Sequence, residues 1–473
     1  MTSETQPTDT VLTENQTHAL GERIRGGILT PDDDGYDEAR TIWNGMIDKR
    51  PALIVQCTGT ADVVAAVDFA RENDMEVSIH GGGHSVAGKA VTDGGLMIDL
   101  SEMDGVRVDR ENRTVRVGAG ALLGDVDHET QLFGLATPLG VVTETGVAGL
   151  TLNGGYGHLA RKYGLAADNL TEVDIVTADG QVRMASEDRH ADLFWAVRGG
   201  GGNFGVVTSL EYELHEVGPE VYQFFEWYHG DEAADRLAAF RESADSAPRT
   251  VGVLPFVAHV PEIDEFPKES WGDPALVYFG CFCGDAERAD DVLASLTGGG
   301  EPLADLSGPT RYEDLQAALD EDYPDGLRYY WKSIYLNELT DEAIDLMVQY
   351  NDAAPSPLST VDLWWLGDAV AEVPQDATAF WHRDKPFMIT FEANWEDPAD
   401  DDANVEWARD GFTAFEELPV AGGRYGNFPG FVEDPTDMLF GDNYDRLVDV
   451  KTRYDPENRF HVNQNIAPRT GDD

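Results

Sequence analysis

The stretch His80-Gly81-Gly82-Gly83-His84-Ser85 follows the alternating run Met75-Glu76-Val77-Ser78-Ile79. The alternation reads as a strand with its apolar side chains on one face. Three glycines after a strand let the backbone take φ > 0 and press its N–H groups against a ligand, as a phosphate cradle requires. The imidazoles of His80 and His84, at the ends of the loop, offer a nucleophile or a ligand beside that cradle. A plain strand-to-loop turn with two surface histidines has the same local pattern, so the rest of the chain must decide.

Two further glycine clusters follow, Thr145-Gly146-Val147-Ala148-Gly149 through Gly154-Gly155-Tyr156-Gly157, and Arg198-Gly199-Gly200-Gly201-Gly202-Asn203-Phe204-Gly205-Val206. Glycine costs entropy on folding, so its concentration implies backbone that must lie close to something flat or charged. An extended cofactor with a pyrophosphate and ring systems accounts for all three clusters; a merely glycine-rich scaffold is the alternative. The run Gly118-Ala119-Gly120-Ala121-Leu122-Leu123-Gly124 imitates a nicotinamide-dinucleotide fingerprint. Its spacing is GxGxxxG, and no strand ending in Asp or Glu follows at the required distance. A metal site is not expected either, because three glycines between His80 and His84 make a helical HxxxH face unfavourable and no carboxylate completes the set.

The chain of 473 residues has room for two or three domains. It carries 89 acidic and 33 basic residues, a net charge of −56. Such a field repels nucleic acid and anionic lipid, so neither is an expected partner. Dispersed acid with scarce lysine suits a protein that stays hydrated in concentrated salt, where screening suppresses self-repulsion. Cys57, Cys281 and Cys283 are too few for a disulfide framework, and the last two read as a buried pair on one strand face. With no apolar leader and no run of eighteen apolar residues, a soluble cytoplasmic protein is expected.

Composition divides the chain into a polar, partly disordered extension (1–38), a glycine- and valine-rich α+β domain (39–217), an α+β domain rich in tryptophan and tyrosine (218–424) and a terminal segment (425–473). In the first domain a helix over 61–73 is expected, capped by Thr60, with strands at 75–79, 95–100, 105–109, 114–117, 172–177 and 206–213. In the second, strands at 251–260, 275–283, 361–365 and 387–395 suggest an antiparallel sheet with helices on one side. Trp364, Trp365 and Trp395 alternate in these runs and read as core. A helix at 444–454 stops before Pro456.

Four runs in order, HGGGHSVAG, TGVAGLTLNGGYGHLARKYGLAADNL, DLFWAVRGGGGNFGVVT and NYDRLVDVKTRYDPENRFHVNQNI, resemble the berberine-bridge-enzyme type of FAD-linked oxidases, within the vanillyl-alcohol oxidase/p-cresol methylhydroxylase (PCMH) superfamily. The resemblance runs from about Trp43 to Pro468. It implies a PCMH-type FAD-binding domain, an α+β substrate domain and a C-terminal segment returning to the first domain. It implies that His84 is joined covalently to the flavin 8α-methyl, with Gly81, Gly82, Gly83 and Ser85 forming the pyrophosphate loop. Thr145, Gly146 and Gly149 would run beside the isoalloxazine, Gly205 and Val206 would contact the adenosine half, and Asn463 would meet the ring system. Many members add a cysteinyl link in a segment that aligns with Val142; valine cannot form it, so a single histidyl bond is expected. His80 stands where members often have arginine.

On the substrate side, Arg424-Tyr425-Gly426-Asn427-Phe428 resembles a family segment whose two tyrosines face the flavin; Tyr425 keeps the first hydroxyl and Phe428 lacks the second. Tyr425 is the candidate base, Tyr156, His382 and Tyr335 are further candidates, and Arg424 should face away from Tyr425. The expected activity is oxidation of a sugar or other alcohol, or an amine, by hydride transfer to FAD, with reoxidation by O₂ or another acceptor. A nicotinamide-dependent dehydrogenase and a non-catalytic flavin-binding protein are the alternatives.

Overall fold

In the computed structural model the described residues are 12–431 and 436–469. The strand Val77–His80 runs parallel to Leu96–Asp99, which pairs in turn with Leu53–Gln56, and Ile28–Leu29 closes the edge. Neither Leu53–Gln56 nor Ile28–Leu29 is expected from sequence, since runs this short carry no period of their own. The N-terminal extension is more ordered than its composition suggests. Thr13 and Gln16 form a capping box at the head of the helix Glu14–Gly21, while residues 1–11 lie outside the described residues.

The helix Thr60–Glu72 begins one residue earlier than expected. Gly59 is its N-cap and Thr60 its first helical residue, so Thr60 caps nothing. No side chain caps this end; the Asp62 carboxylate in the first turn ties down the preceding chain by accepting the backbone N–H groups of Thr58 (3.0 Å) and Arg25 (2.9 Å), and its charge suits the positive helix end.

A second sheet orders Val106–Asp109, Thr114–Gly118, Val206–Glu213, Leu170–Val176 and Val182–Ser186, antiparallel throughout. Its inward residues, among them Val115, Val117, Val173 and Leu210, share one core with Val63, Val67 and Ala70 of the helix. Antiparallel pairing on both sides of Thr114–Gly118 means that no βαβ unit forms around Gly118–Gly124. These glycines serve packing instead: a Cβ on Gly118 would sit 1.9 Å from the Met103 carbonyl oxygen, and one on Gly120 1.8 Å from that of Leu100.

The third sheet is antiparallel, with spatial order Ala304–Asp305, Glu220–His229, Pro274–Phe282, Val251–His259, Thr360–Trp365, Phe387–Trp395 and Arg328–Leu336; Gly308–Arg311 also pairs with Glu220–His229. Alternation sorts its faces. Val361, Leu363, Trp365, Ile389, Phe391 and Trp395 join the helices Ala233–Ala244, Asp341–Asp352 and Asp401–Glu416 in a second core. Asp362, Trp364 and Glu392 point the other way, toward the first domain, and line a cavity there. Cys281 is buried in this sheet; Cys283, just past its strand, is only half-buried and donates its S–H to the Thr250 carbonyl (3.3 Å).

Two buried ion pairs hold the assembly together. Arg383 grips Asp168 with bonds of 2.6 and 3.0 Å, joining the second domain to the first. Lys451, in the helix Tyr444–Tyr454, meets Asp455 at 2.6 Å and also donates to the carbonyls of Asn203 and Phe460. Leu447, Val450, Phe460 and Ile466 belong to the first core, so the C-terminal segment does return to that domain. Among the described residues no helix is long and apolar enough to cross a membrane, and no group of three or more His, Cys, Asp or Glu side chains could hold a metal ion.

Candidate active site

The glycine-rich loops and the inner face of the large sheet enclose a cavity of about 280 Å³. Gly81, Gly82, Gly83, His84 and Ser85 line it, as do Thr145, Gly146, Gly149, Gly205 and Asn463. Val206 does not: it is fully buried in the strand, and period-two alternation gives the cavity Gly205 and Val207 instead.

Close backbone approach explains the glycines. A Cβ on Gly82 would lie 2.6 Å from both the N and Cα of Gly146, so the first and second glycine loops touch through bare backbone. By contrast, a Cβ on Gly149 would meet nothing within 4 Å, which leaves room beside the cavity wall. The Thr145 N–H bonds to the Val142 carbonyl at 3.1 Å and its carbonyl accepts from Leu123, fixing the turn. Asp320 of the second domain accepts the Thr143 N–H at 2.8 Å and pins this loop across the domain boundary.

His84 is held as a neutral imidazole. Its ring stacks on Trp43 (centroids 3.9 Å apart, 18° between planes), and Trp43 stacks in turn on Tyr329 of the large sheet at 3.6 Å. The His84 Nε2 is buried with no hydrogen-bond partner, and burial pushes the imidazole pKa down to about 3. An unprotonated ring keeps a lone pair available. His80 turns away, its Nδ1 3.4 Å from Asp99.

Across the cavity, the Tyr425 oxygen accepts the N–H of Gly155 (3.2 Å) and the side-chain amide of Asn427 (2.9 Å). Its ring packs 4.9 Å from Tyr156 and 5.2 Å from Phe428. Burial raises the Tyr425 pKa to about 12 even though these donors pull it down. Arg424 turns to Glu416 (2.5 Å) and lies over Phe412, away from Tyr425 as alternation requires.

Tyr156 lines the cavity and shares a hydrogen bond of 3.0 Å with the Tyr335 hydroxyl. His382 does not line the cavity; it stacks behind Tyr335 at 4.7 Å and donates from Nε2 to the Met438 carbonyl. Burial takes its pKa down to about 4. The backbone around Gly423 closes over the ring, so this histidine is a packed core residue.

Sequence reasoning overlooks Trp43, Asn427, Asp362 and Glu392. A carboxylate inside an otherwise apolar strand, as in Val361-Asp362-Leu363-Trp364 and Thr390-Phe391-Glu392-Ala393, is the signal that could have found the last two.

The site fits a large flavin cofactor on three observations of its own: glycine backbone without Cβ obstruction, an unpartnered buried imidazole nitrogen, and an unpartnered buried Asn463 Oδ1 from the returning C-terminus. Residues 51–186 match the FAD binding domain family and residues 424–467 the berberine and berberine-like family. (R)-6-hydroxynicotine oxidase of Paenarthrobacter nicotinovorans is 32% identical, over 94% of this chain and 97% of its own. The crystal structure of 6-hydroxy-D-nicotine oxidase from Arthrobacter nicotinovorans superposes with a TM-score of 0.82 at 31% identity, covering 94% and 98% of the two chains. That of a glucooligosaccharide oxidase from Acremonium strictum, which revealed a novel flavinylation, gives 0.85 at 25% identity over 96% and 98%. The fold and site define an FAD-linked oxidoreductase. The chain belongs to the berberine-bridge-enzyme-like family of FAD-linked oxidases.

Proposed function

We propose that this oxidoreductase carries its FAD on a single covalent bond through His84 and oxidises a small alcohol, sugar or amine held between Tyr425 and the large sheet. The observation that carries the attachment is the His84 Nε2, buried, unpartnered and uncharged, on a residue that lines the glycine-rich cavity. Val142, which also lines the cavity, has no thiol for a second bond. Gly81–Gly83 and Ser85 would hold the pyrophosphate, Thr145, Gly146 and Gly149 the ring system, and Gly205 with Asn463 the remaining contacts. Residues 39–217 and 425–473 would build the cofactor side, 218–424 the substrate side.

Bound FAD supplies a two-electron acceptor. Tyr425 holds its oxygen between two N–H donors, which offset part of the cost of burying the phenolate and place the oxygen to accept a proton from a substrate hydroxyl or amine. Tyr156, through its bond to Tyr335, would orient the substrate. The reduced enzyme would pass electrons to O₂, giving H₂O₂, or to another acceptor; a peroxide assay with and without an artificial acceptor separates these.

Acid precipitation of the purified protein should leave the yellow colour with the pellet. Colour wholly in the supernatant would sink the covalent attachment, and retained colour in His84→Ala would move it to another residue. The acidic surface supports a cytoplasm of high salt as the working place. Accordingly Tm should climb as KCl rises from about 0.1 to 2 M, through screening of the −56 net charge; a flat or falling Tm contradicts this.

A further inference from the structure

The cavity wall contains two carboxyls that the chemistry above leaves unused. Asp362 lies opposite Thr390 and Glu392 opposite Thr360 on the paired strands Thr360–Trp365 and Phe387–Trp395. The two acids are therefore diagonal neighbours on one sheet face. Both are 2% exposed, and both line the cavity. The register brings them close enough that the Asp362 charge raises the cost of ionising Glu392. The Tyr323 hydroxyl donates to Glu392 Oε2 at 2.8 Å, and that of Thr390 lies 3.4 Å from Oε1. Asp362 Oδ1 is buried with no partner at all.

Burial raises both acids, Glu392 further because the Asp362 charge adds to it, so a cation placed between them would restore their ionised forms. Other ionisable groups acting on this cluster, Tyr323 with Asp322 behind it and Tyr329, supply no positive charge. Among the described residues no Lys, Arg or His side chain forms an ion pair with either acid. Around the pair stand Trp331, Trp364, Phe428 and Tyr323, all lining the same cavity. The Phe428 ring is 5.2 Å from Trp331 and 6.2 Å from Trp364.

We propose that Asp362 and Glu392, with the surrounding aromatic faces, form a subsite for the ammonium group of an amine substrate. Two buried carboxyls with no cation beside them become ionised only when a ligand supplies the positive charge, and a sugar or neutral alcohol brings none. A secondary ammonium brings the charge, two N–H donors for the free carboxylate oxygens, and apolar flanks suited to the aromatic faces. This inference rests on the reading of the cavity as the substrate side of a flavin site, and it narrows that site to amines.

The test compares two molecules of the same shape, N-methylbenzylamine, which is an ammonium at neutral pH, and benzyl methyl ether, which is neutral. Their binding to the flavin-loaded protein is measured anaerobically by calorimetry and by perturbation of the flavin spectrum. The ammonium should bind at least tenfold tighter than the ether. That preference should fall below about threefold in Asp362→Asn and in Glu392→Gln, with flavin content and Tm retained. Equal binding of the two molecules by the unsubstituted protein overturns the proposal without any variant. So does an ammonium preference that survives both substitutions, since general attraction by the acidic surface would lose only one of 89 carboxylates. A protein that holds no flavin would instead overturn the flavin reading, while the calorimetric preference still decides the subsite.

Discussion

Lys451→Met is expected to destabilise the protein by about 3–5 kcal/mol, because it leaves a buried carboxylate without its cation. Lys451 and Asp455 side chains are both 0% exposed, and the Lys451 ammonium spends its three donors on Asp455, the Asn203 carbonyl and the Phe460 carbonyl. Asp455 in turn accepts the backbone N–H groups of Arg459 and Phe460 at 2.9 Å each, so the pair fixes the turn after the helix Tyr444–Tyr454. From that turn the chain runs back to the first domain, where Asn203 bonds the Gln464 carbonyl and the Ile466 N–H. Phe460, Val462, Asn463 and Gln464 all line the cavity. Loss of the pair should therefore appear twice, as a lower urea midpoint and as poorer flavin retention. A change below about 1 kcal/mol would show that the turn is held by its apolar packing alone.

The first domain is legible because its signals are local. A glycine loop after an alternating strand, and a helix ending before Pro456, need only neighbouring residues to be read. The helix boundary at Thr60 misleads for a related reason: Gly59 is the N-cap with no side-chain cap, and the favourable charge comes from Asp62 inside the first turn, so the residue type at the first position says little. Gly118–Gly124, set aside on its spacing, is explained only by tertiary structure, since Gly118 and Gly120 accommodate carbonyls fifteen to twenty residues away in sequence. On the site, His84 and the glycine contacts are legible through motif order. Asp362 and Glu392 are each marked as an acid in an apolar run, but their pairing is not legible, because the strand register alone makes them neighbours. Val206 and His382 show the same limit: each sits one residue or one packing layer from the cavity, a distinction that backbone alternation and burial decide. The Trp43–His84 stack joins residues 41 apart with no periodic relation, so nothing in the chain announces it.

Tyr425→Phe is expected to lower kcat by about 10²–10⁴-fold while KM changes less than about threefold, if the tyrosine oxygen accepts the substrate proton. The ring keeps its packing against Tyr156 and Phe428, so the substitution removes one oxygen and little shape. Gly155 N–H and the Asn427 amide lose their acceptor, which should cost about 1–3 kcal/mol of stability and must be checked by unfolding before kinetics are interpreted. The pH profile separates the two roles open to the hydroxyl. With a pKa of about 12, roughly one tyrosine in 10⁴ is ionised at pH 8, and that fraction grows tenfold per pH unit. A base should therefore give a kcat that climbs with pH toward the alkaline side, and the phenylalanine variant should lose that slope along with the rate. A hydroxyl that only donates a hydrogen bond would give the opposite pattern, a flat profile in the original protein and a loss near tenfold. Measured with whichever donor reduces the flavin fastest, a flat wild-type profile would remove Tyr425 from proton transfer and leave it a positioning residue.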